Sequence, residues 1–479
     1  MKSYVKSTFA FSVLLVLQIH TTVAQKIKYE NAPMNTAPNT TRAMFTPEFW
    51  ISNTKGNVDK VILSQEKIAY LNRETSRMTE KVKKLKDING ESYSLDSIIR
   101  YNDMTGVQYN IENPLSLNTF SGDSLRARLR DHRTYFDSDT YYDGRRMKFD
   151  GVKKSELYEK TGAGSIPDTI TPRYGIVSTH TMCRVLPTYE AAFGGAGDWY
   201  TRGLQGASVD VATPVAVLHE SKEKDWYYIR SENAFGWVKA TNIAIGSKKE
   251  IGDYYADENI IVALNHKVSV YSNEKFDSYI IDLFMGSTLK LTGSSSRGYH
   301  VILPFRMPDG SLDFIDGWVK PDAQVSVGFQ TFTQKNMFKT LFSLIGRPYY
   351  WCDANHEWNC CGFVRVVLRT FGIKTGNWPT FEMHYTDNTI AFPPDTPLEE
   401  KYELLRSCEP GITLAGSDGH MQVFLGEVDG LLFVIHMGGY DYTTDDGTEM
   451  MVRRVNVNEV GIKSLYSSKD WTKFCPLKP

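Results

Sequence analysis

The middle third of the chain repeats one order of short β-type runs, and this limits the available folds more than any other feature. Thr213 to Leu218 (TPVAVL) and Trp226 to Ile229 (WYYI) are followed by Gly236-Trp237-Val238. Ser287 to Leu291 (STLKL), His300 to Leu303 (HVIL) and Gly317-Trp318-Val319 repeat that order, with Trp237 and Trp318 standing 81 residues apart. Runs this short, rich in β-branched and aromatic residues and closed at regular spacing, predict small β-barrels rather than one wide sheet. One triplet alone would carry little weight, since a Trp in plain core serves any β-module. Two, each behind the same strand order, predict two barrels in tandem.

The rest of the chain must supply further domains, because 479 residues exceed what one core supports. The formal net charge of −2 excludes a global basic field for nucleic acid or an acidic membrane. There is no Gly-rich phosphate loop and no paired Cys/His spacing of a structural zinc site, so no metal or organic cofactor is expected. At the start, Lys2 and Lys6 precede the apolar run FAFSVLLVLQI and the small-residue site Thr22-Val23-Ala24. Residues 1–24 therefore read as a secretory signal peptide cut before Gln25. The run is short for a membrane span, no Cys follows it for lipid attachment, and no later stretch is long and apolar enough to span. The mature chain is expected to be soluble, monomeric and exported across the inner membrane, to the periplasm or beyond. Six cysteines are too few for a disulfide framework in a chain of this length. Asn31 to Arg42 reads as a mobile leader. Val58, Val61, Ile62, Ile68 and Leu71 predict an amphipathic helix over about residues 55–75. Up to residue 165 the chain reads as a small, partly helical domain of no legible function.

The last 150 or so residues alternate helix and strand. Asn336 to Leu344, Cys361 to Thr370 and Pro397 to Ser407 read as helices; Met421 to Leu425 and Leu431 to His436 read as strands around the turn Val428-Asp429-Gly430. An aromatic-rich loop, Gly346 to Asn359, runs into Cys360-Cys361-Gly362-Phe363-Val364 where a helix begins. Unpaired N–H groups and partial positive charge at a helix N-terminus lower a thiol's pKa and can receive an oxyanion. Taken alone, the segment serves equally well as a buried structural Cys. The histidines change the balance. His420 precedes one strand and His436 ends the next, so a tight hairpin makes them near neighbours. Thiol, base and orienting group then follow the logic of a nucleophile triad. His132, His180, His219 and His384 are assigned to core or surface.

These residues resemble the NlpC-type family of murein cysteine peptidases, a reduced papain-like fold. The matching segments are Pro348-Tyr349-Tyr350-Trp351, Asn359-Cys360-Cys361-Gly362-Phe363, His420 with MQVFLG, and His436. RVLPTYEAAF (184–193), TPVAVLHES (213–221) and PGITLAGSDGHMQVFLG (410–426) are similar to the branch with a stabilising domain and two bacterial SH3-like domains ahead of the peptidase. The resemblance implies a multidomain α+β chain: a stabilising domain over 25–165, SH3-like barrels over 166–247 and 248–327, and a papain-like peptidase domain over 328–479. It implies Cys360 as nucleophile, His420 as general base, His436 as orienting residue, Tyr349 on the oxyanion side and Trp351 as a wall of the cleft. Asn359 and Cys361 would also meet substrate, and both depart from the family, which has Asp and Ser there. Cys352 stands where the family usually has Gly and would narrow the loop. The implied substrate is a murein stem peptide or muropeptide, cut between γ-D-glutamate and a diamino acid, with endopeptidase or dipeptidyl-peptidase action both open. Two alternatives remain at this point: an amidase or acyltransferase on the same fold, and a wall-binding protein whose peptidase domain has decayed.

Overall fold

The structure is a computed structural model that describes residues 37–91, 112–197, 203–417, 419–438, 441–443, 449–461 and 468–479. Residues 1–24, read above as a signal peptide, and the first part of the expected leader lie outside these residues. Among the described residues no helix is long and apolar enough to cross a membrane.

The repeat in the sequence is a repeat in space. The first barrel holds seven strands: β1 (Arg173–Val177), β2 (Thr181–Arg184), β3 (Gln205–Val209), β4 (Pro214–Glu220), β5 (Trp226–Arg230), β6 (Phe235–Lys239) and β7 (Ile243–Gly246). The second holds β8 (Ile260–Ala263), β9 (Lys267–Tyr271), β10 (Tyr279–Phe284), β11 (Thr288–Ser295), β12 (Gly298–Arg306), β13 (Leu312–Val319) and β14 (Val325–Val327). Their sheet orders, β3-β2-β6-β5-β4-β1-β7 and β10-β9-β13-β12-β11-β8-β14, are the same order displaced by seven strands. Both Gly-Trp-Val triplets fall in equivalent strands, β6 and β13. Trp237 is fully buried among Leu125, Leu129 and Tyr228. Trp318 is half-buried and stacks on His300 at 4.6 Å.

The described residues before the barrels pack into more than one core. The helix expected over 55–75 is shorter, Gln65–Glu74, because Ser64 caps it by accepting the Lys67 N–H and the preceding residues form turns. Ile68 and Leu71 of this helix, with Met44, Phe45 and Trp50, join the core of the C-terminal domain. The helix Gly122–Asp137 instead sends Leu125 and Leu129 against Trp226 and Trp237 of the first barrel. The described part of the stretch 25–165 thus contributes to several cores, with Phe136, Tyr141, Phe149 and Leu157 packing in another beside Val185, Leu186, Ala192 and Leu204.

The C-terminal domain pairs an antiparallel sheet with buried helices. Its strands are β15 (Ile390–Ala391), β16 (Thr413–Gly416), β17 (Met421–Val428), β18 (Leu431–Met437), β19 (Val455–Glu459) and β20 (Lys473–Pro476), in the order β15-β20-β16-β17-β18-β19. Helix α1 (Gln334–Phe342) packs beside helix α2 (Cys360–Arg369), and every residue of α2 from Cys360 to Leu368 is buried. The barrels dock directly on this domain. Phe284 and Met285 belong to its hydrophobic core. Gly286, at φ +80°, lies so close to α2 that a β-carbon would stand 2.7 Å from Arg369 Cβ and 3.0 Å from the Val366 carbonyl oxygen.

Candidate active site

The chemistry begins with a cap. Asn359 is extended and its Oδ1 accepts the Gly362 N–H at 2.8 Å, which starts α2 at Cys360. The N–H groups of Cys360 and Cys361 are left outside the helix ladder, at its positive end. Gly362 is required here. Asp353 Oδ1 occupies the space of its missing side chain, and a β-carbon would lie 2.0 Å away. Asp353 sits in the loop Trp351–His356 with φ +57°, accepts the Asn359 N–H at 3.3 Å, and forms a buried ion pair with Arg365.

The hairpin brings the histidines together. Strands β17 and β18 pair with Val423 opposite Ile435, so the strand start places His420 beside His436. His420 Nε2 lies 3.0 Å from His436 Nδ1, and both rings are buried. His420 also hydrogen-bonds the Cys360 thiol. Cys360 is held well below the ordinary thiol range. The hydrogen bond from Cys361 acts first, and the charge and hydrogen bond of His420 and the Met421 backbone add to it against burial. Cys361, with its sulfur 3.8 Å from that of Cys360, is pushed well above that range by burial and by its neighbour. Burial and His420 hold His436 well below the usual imidazole value, so it stays neutral.

Cys360, Cys361, Asn359, Tyr349, Trp351 and His420 line one cavity of about 210 Å³, together with Asn377 and Trp378. His436 stands behind His420, outside this lining. The seven site residues read from the sequence, Tyr349, Trp351, Asn359, Cys360, Cys361, His420 and His436, are therefore at or next to one cleft. The side chain of Cys352 lies outside the described residues. His132, His180 and His219 are hydrogen-bonded elsewhere, to the Val185 carbonyl, Asp210 and the Thr161 carbonyl. Among the described residues no cluster of His, Cys, Asp or Glu side chains is arranged to hold a metal ion.

Other parts of the site were not read from the sequence. Gly206 and Ala207 of β3 form one wall, so the first barrel completes the cleft. Arg365 and Glu382 lie under the nucleophile, buried with Asp353. A charged residue in the otherwise apolar helix CCGFVRVVLR was the available signal for Arg365. Asn458 hydrogen-bonds His436 from the neighbouring strand. The alternation VNVNE, two amides on one face of a buried strand, was the signal for it.

Fold and site together define a multidomain α+β chain with two SH3-like barrels and a thiol–imidazole cleft. Residues 203–239 match the family described as SH3 domain (SH3b1 type). Among solved structures, the NlpC/P60 endopeptidase from Photobacterium damselae subsp. piscicida is similar over 88% of this chain and 94% of that chain, at 17% identity and a TM-score of 0.67. An NlpC/P60 family protein from Bacillus cereus covers 58% of this chain and 83% of its own, at 16% identity and a TM-score of 0.41. No curated protein sequence matches the chain. The protein thus has the fold of an NlpC/P60 endopeptidase along nearly its whole described length.

Proposed function

We propose that the protein is an exported cysteine peptidase that hydrolyses the bond between γ-D-glutamate and a diamino acid in murein stem peptides. The observation that carries this reading is the contact chain from Cys360, at the first residue of a buried helix, to His420 and on to His436 at 3.0 Å. His420 takes the Cys360 proton and the thiolate attacks the scissile carbonyl. The oxyanion is received by the N–H groups at the head of α2, with Tyr349 at the cleft edge. The C–N bond breaks as His420 returns the proton to the leaving amine, and water then hydrolyses the thioester on Cys360. The barrel wall at Gly206 and Ala207 limits how far the stem extends past the γ-D-glutamyl residue. The segment 1–24 directs the chain to the compartment where murein lies.

Mass spectrometry of digests of defined tri- and tetrapeptide stems tests this. The wild type and Cys361→Ser should both release products of the γ-D-glutamyl–diamino acid cut, and Cys360→Ala none. An intact stem after incubation with the wild type, or the same cut by Cys360→Ala, would sink the reading.

A further inference from the structure

A base made of two histidines in series has a direction problem. Each neutral imidazole carries one N–H. If His436 bore its proton on Nδ1, it would donate to His420 Nε2. His420 would then carry its own proton on Nδ1 and point an N–H at the thiol, where it could accept nothing. The opposite arrangement leaves His420 Nδ1 as a lone pair facing Cys360. Nothing in the pair itself selects between the two.

The neighbouring strand does select. Strands β18 and β19 pair without a bulge, with His436 opposite Asn456 and Val434 opposite Asn458. His436, Asn456 and Asn458 therefore project from one face. Both amides are buried, at 2% and 4% exposure, so their hydrogen bonds cannot be exchanged freely with water. Asn456 Nδ2 donates to Asn458 Oδ1 at 2.9 Å. The Asn458 side chain bonds His436, whose Nδ1 is already engaged by His420, so the contact falls at Nε2. That bond favours the protonated ring nitrogen, as an acceptor oxygen does. A carbonyl oxygen has two lone pairs and can receive both donors.

We propose that Asn458, oriented by Asn456, is a positioning residue that fixes both histidine tautomers so that His420 presents a lone pair to the Cys360 thiol. The proton order is then complete. Asn456 donates to Asn458, His436 Nε2–H donates to Asn458, His420 Nε2–H donates to His436 Nδ1, and the thiol donates to His420 Nδ1. When His420 becomes charged, its Nε2–H still finds an acceptor in His436, which burial keeps neutral. The inference rests on the Cys360–His420 reading but not on the identity of the substrate.

The test reads the thiol directly. Iodoacetamide alkylation of Cys360, resolved by peptide mass mapping, is followed against pH in the full-length protein. Asn458→Leu should slow alkylation at pH 7 on the order of tenfold and move the rise of the rate toward the ordinary thiol value of about 8.5. Asn458→Asp keeps an acceptor in place and should retain fast alkylation above neutral pH. It should lose that reactivity at lower pH than the ordinary thiol does, because a carboxylate beside His436 favours the charged ring, whose Nδ1–H reverses His420. On stems, Asn458→Leu should lower kcat on the order of tenfold to a hundredfold, a part of what a general base contributes, and leave KM in place. Superimposable alkylation profiles for wild type and Asn458→Leu, or an Asn458→Asp profile equal to that of Asn458→Leu, would overturn the proposal. Should the Leu variant not fold, ¹⁵N shifts of the wild-type histidines decide, and a proton on His436 Nδ1 refutes it. An alkylation response without stem cleavage would instead count against the substrate reading alone.

Discussion

Replacing Asp353 by Asn should cost less than the burial of its ion pair implies, because a second carboxyl waits beside it. Asp353 and Arg365 are 4% and 5% exposed and paired. Removing one partner of a buried pair usually costs about 3–5 kcal/mol, since it strands the other charge. Here Glu382, fully buried, faces the same guanidinium. Burial holds its carboxyl well above the usual range; Arg365 pulls it down, while Cys360 and Asp353 push it further up. In Asp353→Asn one of those negative neighbours is gone, so Glu382 ionises and compensates Arg365. The expected losses are about 1–3 kcal/mol for Asp353→Asn, within about 1 kcal/mol of zero for Glu382→Gln, and the full 3–5 kcal/mol for the double variant. Calorimetry on the whole protein reads these losses, at roughly 2–4 °C per kcal/mol for a cooperative unit of this domain's size. A double variant whose melting shift equals the sum of the singles would refute the shared-charge argument.

Three further outcomes follow from the cleft. Asn359→Asp keeps the helix cap and adds a carboxylate in the cavity, so competition between stems with free and blocked N-termini should shift toward the free amine by on the order of tenfold or more, the worth of a charge-assisted bond of about 1.5–3 kcal/mol; an unchanged ratio counts against it. Gly206→Leu adds bulk on the barrel side of the cleft, and steady-state kinetics should show KM rising while Cys360 alkylation holds; a fall in alkylation with KM constant would place Gly206 outside the substrate path. Limited proteolysis should release no fully active, freely tumbling peptidase domain, since Phe284 and Met285 lie in its core; recovery of such a fragment would contradict the docking.

The legible features were periodic or local. Strand order and the Trp spacing marked both barrels because each barrel is one supersecondary unit repeated. The Cys360 turn could be read because a cap, a helix start and a small residue are adjacent in sequence. The two histidines could be paired because a hairpin relates them by distance from one turn. Asp353, Glu382 and Asn458 could not be placed, since each reaches the site through tertiary packing that no short-range pattern encodes. How the N-terminal segment divides its apolar residues among cores was not legible for the same reason. Its apolar residues are spaced like core residues, but nothing local says that Trp50 packs on Phe433 while Leu129 packs against the first barrel. The helix over 55–75 was read too long because Val58, Val61 and Ile62 continue the spacing through turns that Ser64 ends.

The junction of the two barrels with the cleft loop should weaken in acid. His180 from the first barrel, His266 from the second and His356 from the loop meet around Phe284. The His356 ring stacks on Phe284 at 4.3 Å and lies 4.2 Å from the His180 ring. His180 Nδ1 is 2.9 Å from Asp210, which also binds Arg369 of α2. His266 Nε2 lies 2.9 Å from the His356 carbonyl oxygen and 3.1 Å from Arg347 Nη2, whose guanidinium pairs with Glu357. Burial lowers His266 and His356 to about 4, helped by Arg347 and Lys267 at the first and by His180 and Lys267 at the second, while Asp282 and Asp210 oppose. A base whose folded value lies below its unfolded value binds fewer protons when folded. Stability therefore falls as pH drops from about 6.5 toward 4. The double variant His266→Gln/His356→Asn cannot be charged there, and Asn accepts the positive φ of +62° at position 356. His132, lowered to about 3 inside the first barrel's helix contact, acts equally in both proteins and cancels. Melting temperatures between pH 7 and pH 4.5 should thus fall less in the double variant than in wild type. Parallel curves would show that the junction does not sense protons. A smaller fall would tie acid response to the loop that carries Trp351 and Asp353, and so to the shape of the cleft itself.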